Sequence, residues 1–253
     1  MEPASRAMVE PVSRDNPIPL YLQIKEFWRK QIEGGALQPG DQIPTDQELC
    51  ERYNVSRITV KQAINALVNE GLVIRRQGKG TFVAKPKLQQ DLLKLTSFTE
   101  DMWQRGLVPG ARLLSKELIP APPEIAKSLR LKEDEEVVRI QRLRLADNEP
   151  LAVETLYVPY SICPELLGDD LGGQSFYGLL ENRYGLRLSK AEQFLEGSLA
   201  TKKEARLLRI KEKDAVLLTE RITSLEDGRP VEFAKSVYRG DKYRFHVVLH
   251  RHP

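Results

Sequence analysis

The chain has 253 residues, 41% hydrophobic and 30% charged, which fits one large globular domain or two ordinary ones. No run approaches the roughly 18 apolar residues of a membrane span, and the charged, proline-punctuated start lacks the apolar core of a signal peptide, so a cytoplasmic protein with no membrane partner is expected. The two cysteines, Cys50 and Cys163, lie far apart and make no disulfide framework or metal cluster.

A net charge of +3 says little as a total, but its distribution is uneven. Residues 15–53 carry four basic and seven acidic side chains, whereas residues 54–86 carry six basic ones and a single acid, Glu70. A basic block after an acidic one is a candidate surface for a polyanion, although charge runs are commonly just solvated faces.

Residues 1–14 read as a loose tail, and residues 15–86 as a first domain. After Pro17 and Pro19, the side chains Leu20, Tyr21, Ile24, Phe27, Trp28 and Ile32 recur at helical spacing until Gly34 and Gly35. A second, short helix starts at Thr45, which has capping-box spacing to Glu48, and ends near Tyr53 and Asn54. Ser56 opens a third helix. Its apolar stripe is Val60, Ala63, Ile64, Leu67 and Val68, and Ile58, Lys61, Gln62 and Asn65 face away from that stripe. Residues 72–76 and 81–84 then read as strands joined by the turn Gln77-Gly78-Lys79-Gly80.

This order is a helix, a helix-turn-helix and a β-wing, a form suited to DNA. The third helix presents Arg57 at its start and Lys61 one turn later, where a recognition helix meets base edges and phosphates. Arginine there can make two hydrogen bonds to one guanine. Gly78 and Gly80 let the wing backbone approach a groove, with Arg75, Arg76 and Lys79 supplying charge. The same turn lacks the residue order of a phosphate loop.

The stretches ELCERYNVSRITVKQAINALVNEGLV and QGKGTFV resemble the DNA-binding domain of the GntR family of repressors. The resemblance implies operator contacts from Thr45 to Gln47, from Arg57 and Thr59, and from the wing residues Gly78 to Gly80; Gln77, which opens the wing turn, is a further candidate for DNA contact. Family members usually carry Pro-Ser-Glu-Arg at the second helix, where this chain has Pro44-Thr45-Asp46-Gln47. Gln47 would read adenine or contact only backbone, so the operator sequence does not carry over.

Residues 87–95 read as a linker to a second domain over residues 96–253. That domain contains a duplication: PEIAKSLRLKEDEEVVRIQR resembles KKEARLLRIKEKDAVLLTER, each half reading as a helix, a charged turn and a strand. Hairpins follow at Asp147-Asn148-Glu149-Pro150 and at Asp227-Gly228-Arg229-Pro230, each with a returning strand. The expected product is an α+β domain on an antiparallel sheet, with a pseudo-two-fold axis and a cleft between its halves.

Arg142 and Arg144 lie two apart on one strand, on the same face as Val138 and Ile140, so they continue an inward-looking row. Either an anionic ligand or the protein's own carboxylates would satisfy them, unless the strand end is solvated. Helix starts at Ser97, with capping-box spacing to Glu100, and at Ser175 offer donors that either cap their own helices or meet a phosphate. Glu154 and Glu232 sit on the returning strands beside small residues, either as exposed acids or as acceptors for hydroxyls or an amine.

This region resembles the UTRA ligand-sensing domain of the HutC-type branch of GntR regulators, a chorismate-lyase-like fold. The motifs KLTSFTEDM, RLRLADNEPLAVET and KSVYRGDKY resemble those of repressors of N-acetylglucosamine use. The resemblance implies an effector such as glucosamine-6-phosphate or N-acetylglucosamine-6-phosphate. Ser97, Phe98, Thr99, Arg142, Arg144, Ser175 and Tyr177 would hold its phosphate, and Glu154, Glu232 and Tyr238 its sugar. Further expectations are double-stranded operator DNA as partner, a homodimer, and no cofactor, metal or catalytic residue. His246, His250 and His252 crowd the last eight residues as a strand end and tail. The alternatives are a different small anionic metabolite, a second domain that only dimerises, and a chorismate-lyase-like enzyme attached to a DNA-binding domain.

Overall fold

The computed structural model describes residues 12–85, 87–172 and 174–251. They fall into two compact units that divide between Pro86 and Lys87.

In the first unit, α1 (Leu20–Glu33), α2 (Asp46–Tyr53) and α3 (Arg57–Asn69) pack on a small sheet of β1 (Gln42–Ile43), β2 (Val73–Arg76) and β3 (Gly80–Val83), ordered β1-β3-β2. Ile24, Phe27, Trp28, Leu49, Tyr53, Val60, Ile64 and Leu67 form its core with Val73 and Val83. The turn between α2 and α3 is set by short-range chemistry. Thr45 and Glu48 make a complete capping box on α2, Asn54 ends that helix in the left-handed region at φ 48°, and the Ser56 hydroxyl accepts the Thr59 amide at the start of α3. Glu70, the lone acid of the basic block, is bound by Lys25 at 3.1 Å and Arg29 at 2.6 Å, tying the end of α3 to α1.

Of the expected tail, residues 1–11 lie outside the described residues, and residues 12–14 are attached. Val12 packs against the core, and Gln23 exchanges hydrogen bonds with the Ser13 backbone. The Arg14 guanidinium donates to the Asn54 carbonyl. These backbone and carbonyl groups gain partners only once α1 and the α2–α3 turn are folded, which composition could not show.

The second unit is built on β5 (Pro109–Pro120), β6 (Glu136–Ala146), β7 (Glu149–Pro159), β8 (Leu188–Leu199), β9 (Ala215–Leu225) and β10 (Pro230–Arg239). All pairs are antiparallel, in the order β5-β6-β7-β10-β9-β8. The duplication is larger than the sequence displayed, because β5 and β8 lead the two halves into α5 (Pro123–Leu129) and α7 (Lys202–Leu208). The backbone repeats even in its special conformations. Arg130 and Arg209 end these helices at φ 56° and 57°, and Asp134 and Lys213 follow at 67° and 66°. Each helix crosses to the other half's central strand, α5 to β10 and α7 to β7.

Ile125, Leu129, Val137 and Phe233 pack on that face of the sheet. On the opposite face, Val138, Ile140, Leu156 and Val158 meet α6 (Phe176–Asn182) through Phe176, Tyr177, Leu179 and Leu180. A sheet covered on both sides has no polar face, so its period-two pattern is blurred. The segment read as a linker is partly a strand: β4 (Leu88–Asp91) pairs in parallel with β11 (Tyr243–His246) and leads to α4 (Phe98–Gln104). His246 ends β11, whereas His252 lies outside the described residues.

Candidate functional site

On α3 the residues turned from the core are Arg57, Ile58, Lys61, Gln62 and Asn65, all exposed, while Thr59 is half-buried with its hydroxyl 2.9 Å from that of Ser56. At the start of α2 the Thr45 hydroxyl serves the capping box, and the Gln47 side-chain amide donates to Glu51 Oε1 at 3.0 Å. The wing turns at Gly78 (φ 71°) and Gly80 (φ 115°), conformations that L side chains rarely adopt. Its exposed residues are Ile74, Arg75, Arg76, Gln77, Gly78 and Lys79. Arg75 comes within 3.9 Å of Asp46, bringing the wing to the start of α2. The two-residue β1, not anticipated from sequence, holds the wing against the helices, and the Gln42 side chain donates to the Lys79 carbonyl.

In the second unit, Ser97, Phe98, Thr99, Arg142, Arg144, Glu154, Tyr177, Glu232 and Tyr238 line one cavity. Ser175 stands behind this wall, its hydroxyl 3.0 Å from that of Ser97, so the two helix starts meet. Glu100 caps α4 by accepting from the Ser97 amide, and it also accepts from the Ser175 hydroxyl at 3.0 Å. Free space in the cavity is about 40 Å³. That is water-sized, far below the roughly 300 Å³ or more of a ligand pocket, so a sugar phosphate enters only if these side chains part.

The two arginines differ. Arg142 is satisfied by the protein: its Nε donates to Glu154 at 2.9 Å, with a second bond from Nη2, and Nη1 reaches the Leu171 carbonyl. Arg144 donates to the Thr99 hydroxyl at 2.7 Å and lies over the Phe98 ring, but its Nε and Nη1 are buried with no partner among the described residues. Burial pulls its pKa down to about 10, the mark of a cation short of an anion. Burial raises the Glu154 carboxyl, but Arg142 and Arg144 outweigh it and hold it below its ordinary range.

Thr96, Phe176, Thr219, Arg221 and Ser236 also line the cavity and were missed. A signal for Arg221 was present, because the duplication aligns it with Arg142, and likewise Thr223 with Arg144. Arg221 donates to the Thr96 carbonyl at 3.1 Å and to the Tyr177 hydroxyl at 3.3 Å. Thr223 donates to Glu232 at 2.7 Å, where Tyr177 also donates.

Burial pushes the Glu232 carboxyl up to about 6 from 4.5. The folded protein therefore holds this proton more tightly than the unfolded chain. Its contribution to stability falls as pH rises from about 4.5 through 6, then stays low, a loss of about 2 kcal/mol. Glu232→Gln should remove that loss. Its unfolding free energy relative to wild type, measured by urea titration, should improve by about 2 kcal/mol between pH 4.5 and pH 7.5. A difference that does not change with pH would show that Glu232 ionises normally.

The chain matches the family model described as bacterial regulatory proteins, gntR family, over residues 20–83 and the UTRA domain model over residues 104–244. It is similar to the HTH-type transcriptional repressor NagR of Bacillus subtilis, at 44% identity over 92% of this chain and 96% of that protein. It is also similar to the mannosyl-D-glycerate transport/metabolism system repressor MngR of Escherichia coli, at 31% identity over 92% and 97%. In structure it resembles PhnF from Mycobacterium smegmatis, with a TM-score of 0.65 and 28% identity over 90% of this chain and 99% of that one. NagR and MngR are both named as repressors, which sets aside the chorismate-lyase-like enzyme. A winged helix-turn-helix followed by a UTRA sheet domain, matched at this level, places the chain in the GntR family of bacterial regulatory proteins, as a transcriptional repressor of the HutC type.

Proposed function

We propose that operator binding by this repressor is controlled by a small phosphorylated amino sugar, glucosamine-6-phosphate or N-acetylglucosamine-6-phosphate, held in the second unit. The observation that carries this reading is Arg144, a buried guanidinium that lines a polar cavity and has two donors without a partner among the described residues. A phosphate supplies the acceptors and charge that it lacks. Thr99, Ser97 and Ser175 would add hydroxyls, and Arg142 joins once the ligand competes with Glu154. Tyr177 would add a further hydroxyl for the phosphate, and Tyr238, Glu154 and Glu232 offer the acceptors and donors that a sugar's hydroxyls and amine need. The KLTSFTEDM and KSVYRGDKY motifs favour an amino sugar over other anions. The test is calorimetry of the full chain with glucosamine-6-phosphate, N-acetylglucosamine-6-phosphate, glucose-6-phosphate and inorganic phosphate. Binding of the first two well above the others is expected, and indifference to every sugar phosphate would sink the reading.

The operator-facing set is Thr45, Gln47, Arg57, Thr59, Lys61, Arg75 and the wing from Gln77 through Gly78 and Lys79 to Gly80, acting in the cytoplasm on double-stranded DNA. One such unit makes few base contacts, so a two-fold dimer on a palindromic site is expected, held by the second unit. Sedimentation of the full chain at micromolar concentration should give twice its mass of 28.9 kDa. A strictly monomeric species would overturn the dimer.

The path from effector to operator is short. Nine residues lie between Lys87, where the second unit begins, and Ser97 at the cavity. Along that path Lys87 donates to the Gly240 carbonyl, β4 is paired to β11, and the Thr96 carbonyl accepts from Arg221. A ligand that parts the cavity wall shifts this segment, and with it the exit of the chain toward the DNA-binding unit.

A further inference from the structure

Ile58 is 70% exposed, the most exposed large apolar side chain among the described residues of the first unit. Lone apolar residues on surfaces are ordinary, but this one stands in the first turn of α3. Arg57 precedes it, and Lys61, Gln62 and Asn65 complete the same exposed side. It lies outside the apolar cluster that holds the unit together. A β-branched residue at an exposed helical position gains nothing from propensity, and neither folding nor charge explains it.

In the major groove the 5-methyl of thymine is the one apolar group on a base edge. We propose that Ile58 packs against a thymine methyl in each half-site, making it a specificity-determining residue that separates thymine from cytosine beside the base contacted by Arg57. The inference rests on the reading of α3 as the base-contacting helix. The flanking Arg57 and Lys61 supply the charge complementarity that brings this apolar spot to the groove, and isoleucine, with no donor or acceptor, rewards only a methyl.

The test uses the full chain and the duplex it enriches from a random-sequence DNA library. Each thymine of that duplex is replaced singly by uracil, which removes the methyl and keeps the pairing. At one position per half-site, uracil should weaken wild-type binding about fourfold, the value of one buried methyl. Ile58→Ala should be indifferent to uracil at that position while melting like wild type. Sensitivity that survives in Ile58→Ala overturns the proposal, as does a duplex with no thymine that matters. Arg57→Ala separates the levels: if it loses sequence discrimination while every uracil is tolerated, only the Ile58 assignment falls. Failure to enrich any duplex removes the DNA reading itself.

Discussion

Arg144→Gln should lose the effector response at least about a hundredfold in affinity while keeping the fold and the operator. Each charge-assisted hydrogen bond is worth about 1.5–3 kcal/mol, and the substitution removes two donors that only a ligand satisfies, together with the charge. The folded protein gives up the bond to Thr99 and the packing on Phe98, but two donors have no partner among the described residues, and burial disfavours the charge more than Glu154 supports it. Arg142 is the poorer probe, although the sequence ranks the two alike. Arg142→Ala would strand the Glu154 carboxylate, and breaking a buried pair in this way costs about 3–5 kcal/mol. Replacing both members, Arg142→Met with Glu154→Gln, avoids that penalty.

The measurement is an operator titration with and without glucosamine-6-phosphate. Wild type should release, and Arg144→Gln should stay bound at every effector concentration. An effector shifts the equilibrium only by its differential affinity for the two shapes, so operator DNA must weaken effector binding by the same factor. If Arg144→Gln responds normally, the cavity assignment is wrong.

The second large effect lies on the DNA side. Arg57→Ala should weaken specific binding by about 1–3 kcal/mol, the value of a bidentate contact to one base, and leave binding to random DNA little changed. Lys79, on the wing turn, should behave differently. Lys79→Ala weakens all sequences alike and lowers the salt slope by about 0.9, one phosphate contact. The pair is read by competition titrations at several salt concentrations. An unchanged ratio of operator to random-DNA affinity in Arg57→Ala would remove its base-reading role.

What the sequence determined by itself is what short-range physics controls. The caps at Thr45, Ser56 and Ser97, the left-handed turn at Asn54, the wing glycines and the Asp147-Asn148 hairpin each involve residues within a few positions of one another. The apolar stripe of α3 and the duplication were legible for the same reason. The edge strands β5 and β8 were not, because their exposure follows no clean alternation. Nor was β4, whose partner β11 lies 155 positions away, as in the pair Leu88 and Tyr243. Only the tertiary structure decided between the two arginines. Across the β6–β7 pair Arg142 faces Glu154, whereas Arg144 faces Ala152, which has no acceptor to offer. Strand register, set by a hairpin and a bulge, thus satisfies one buried guanidinium and leaves the other short of an anion.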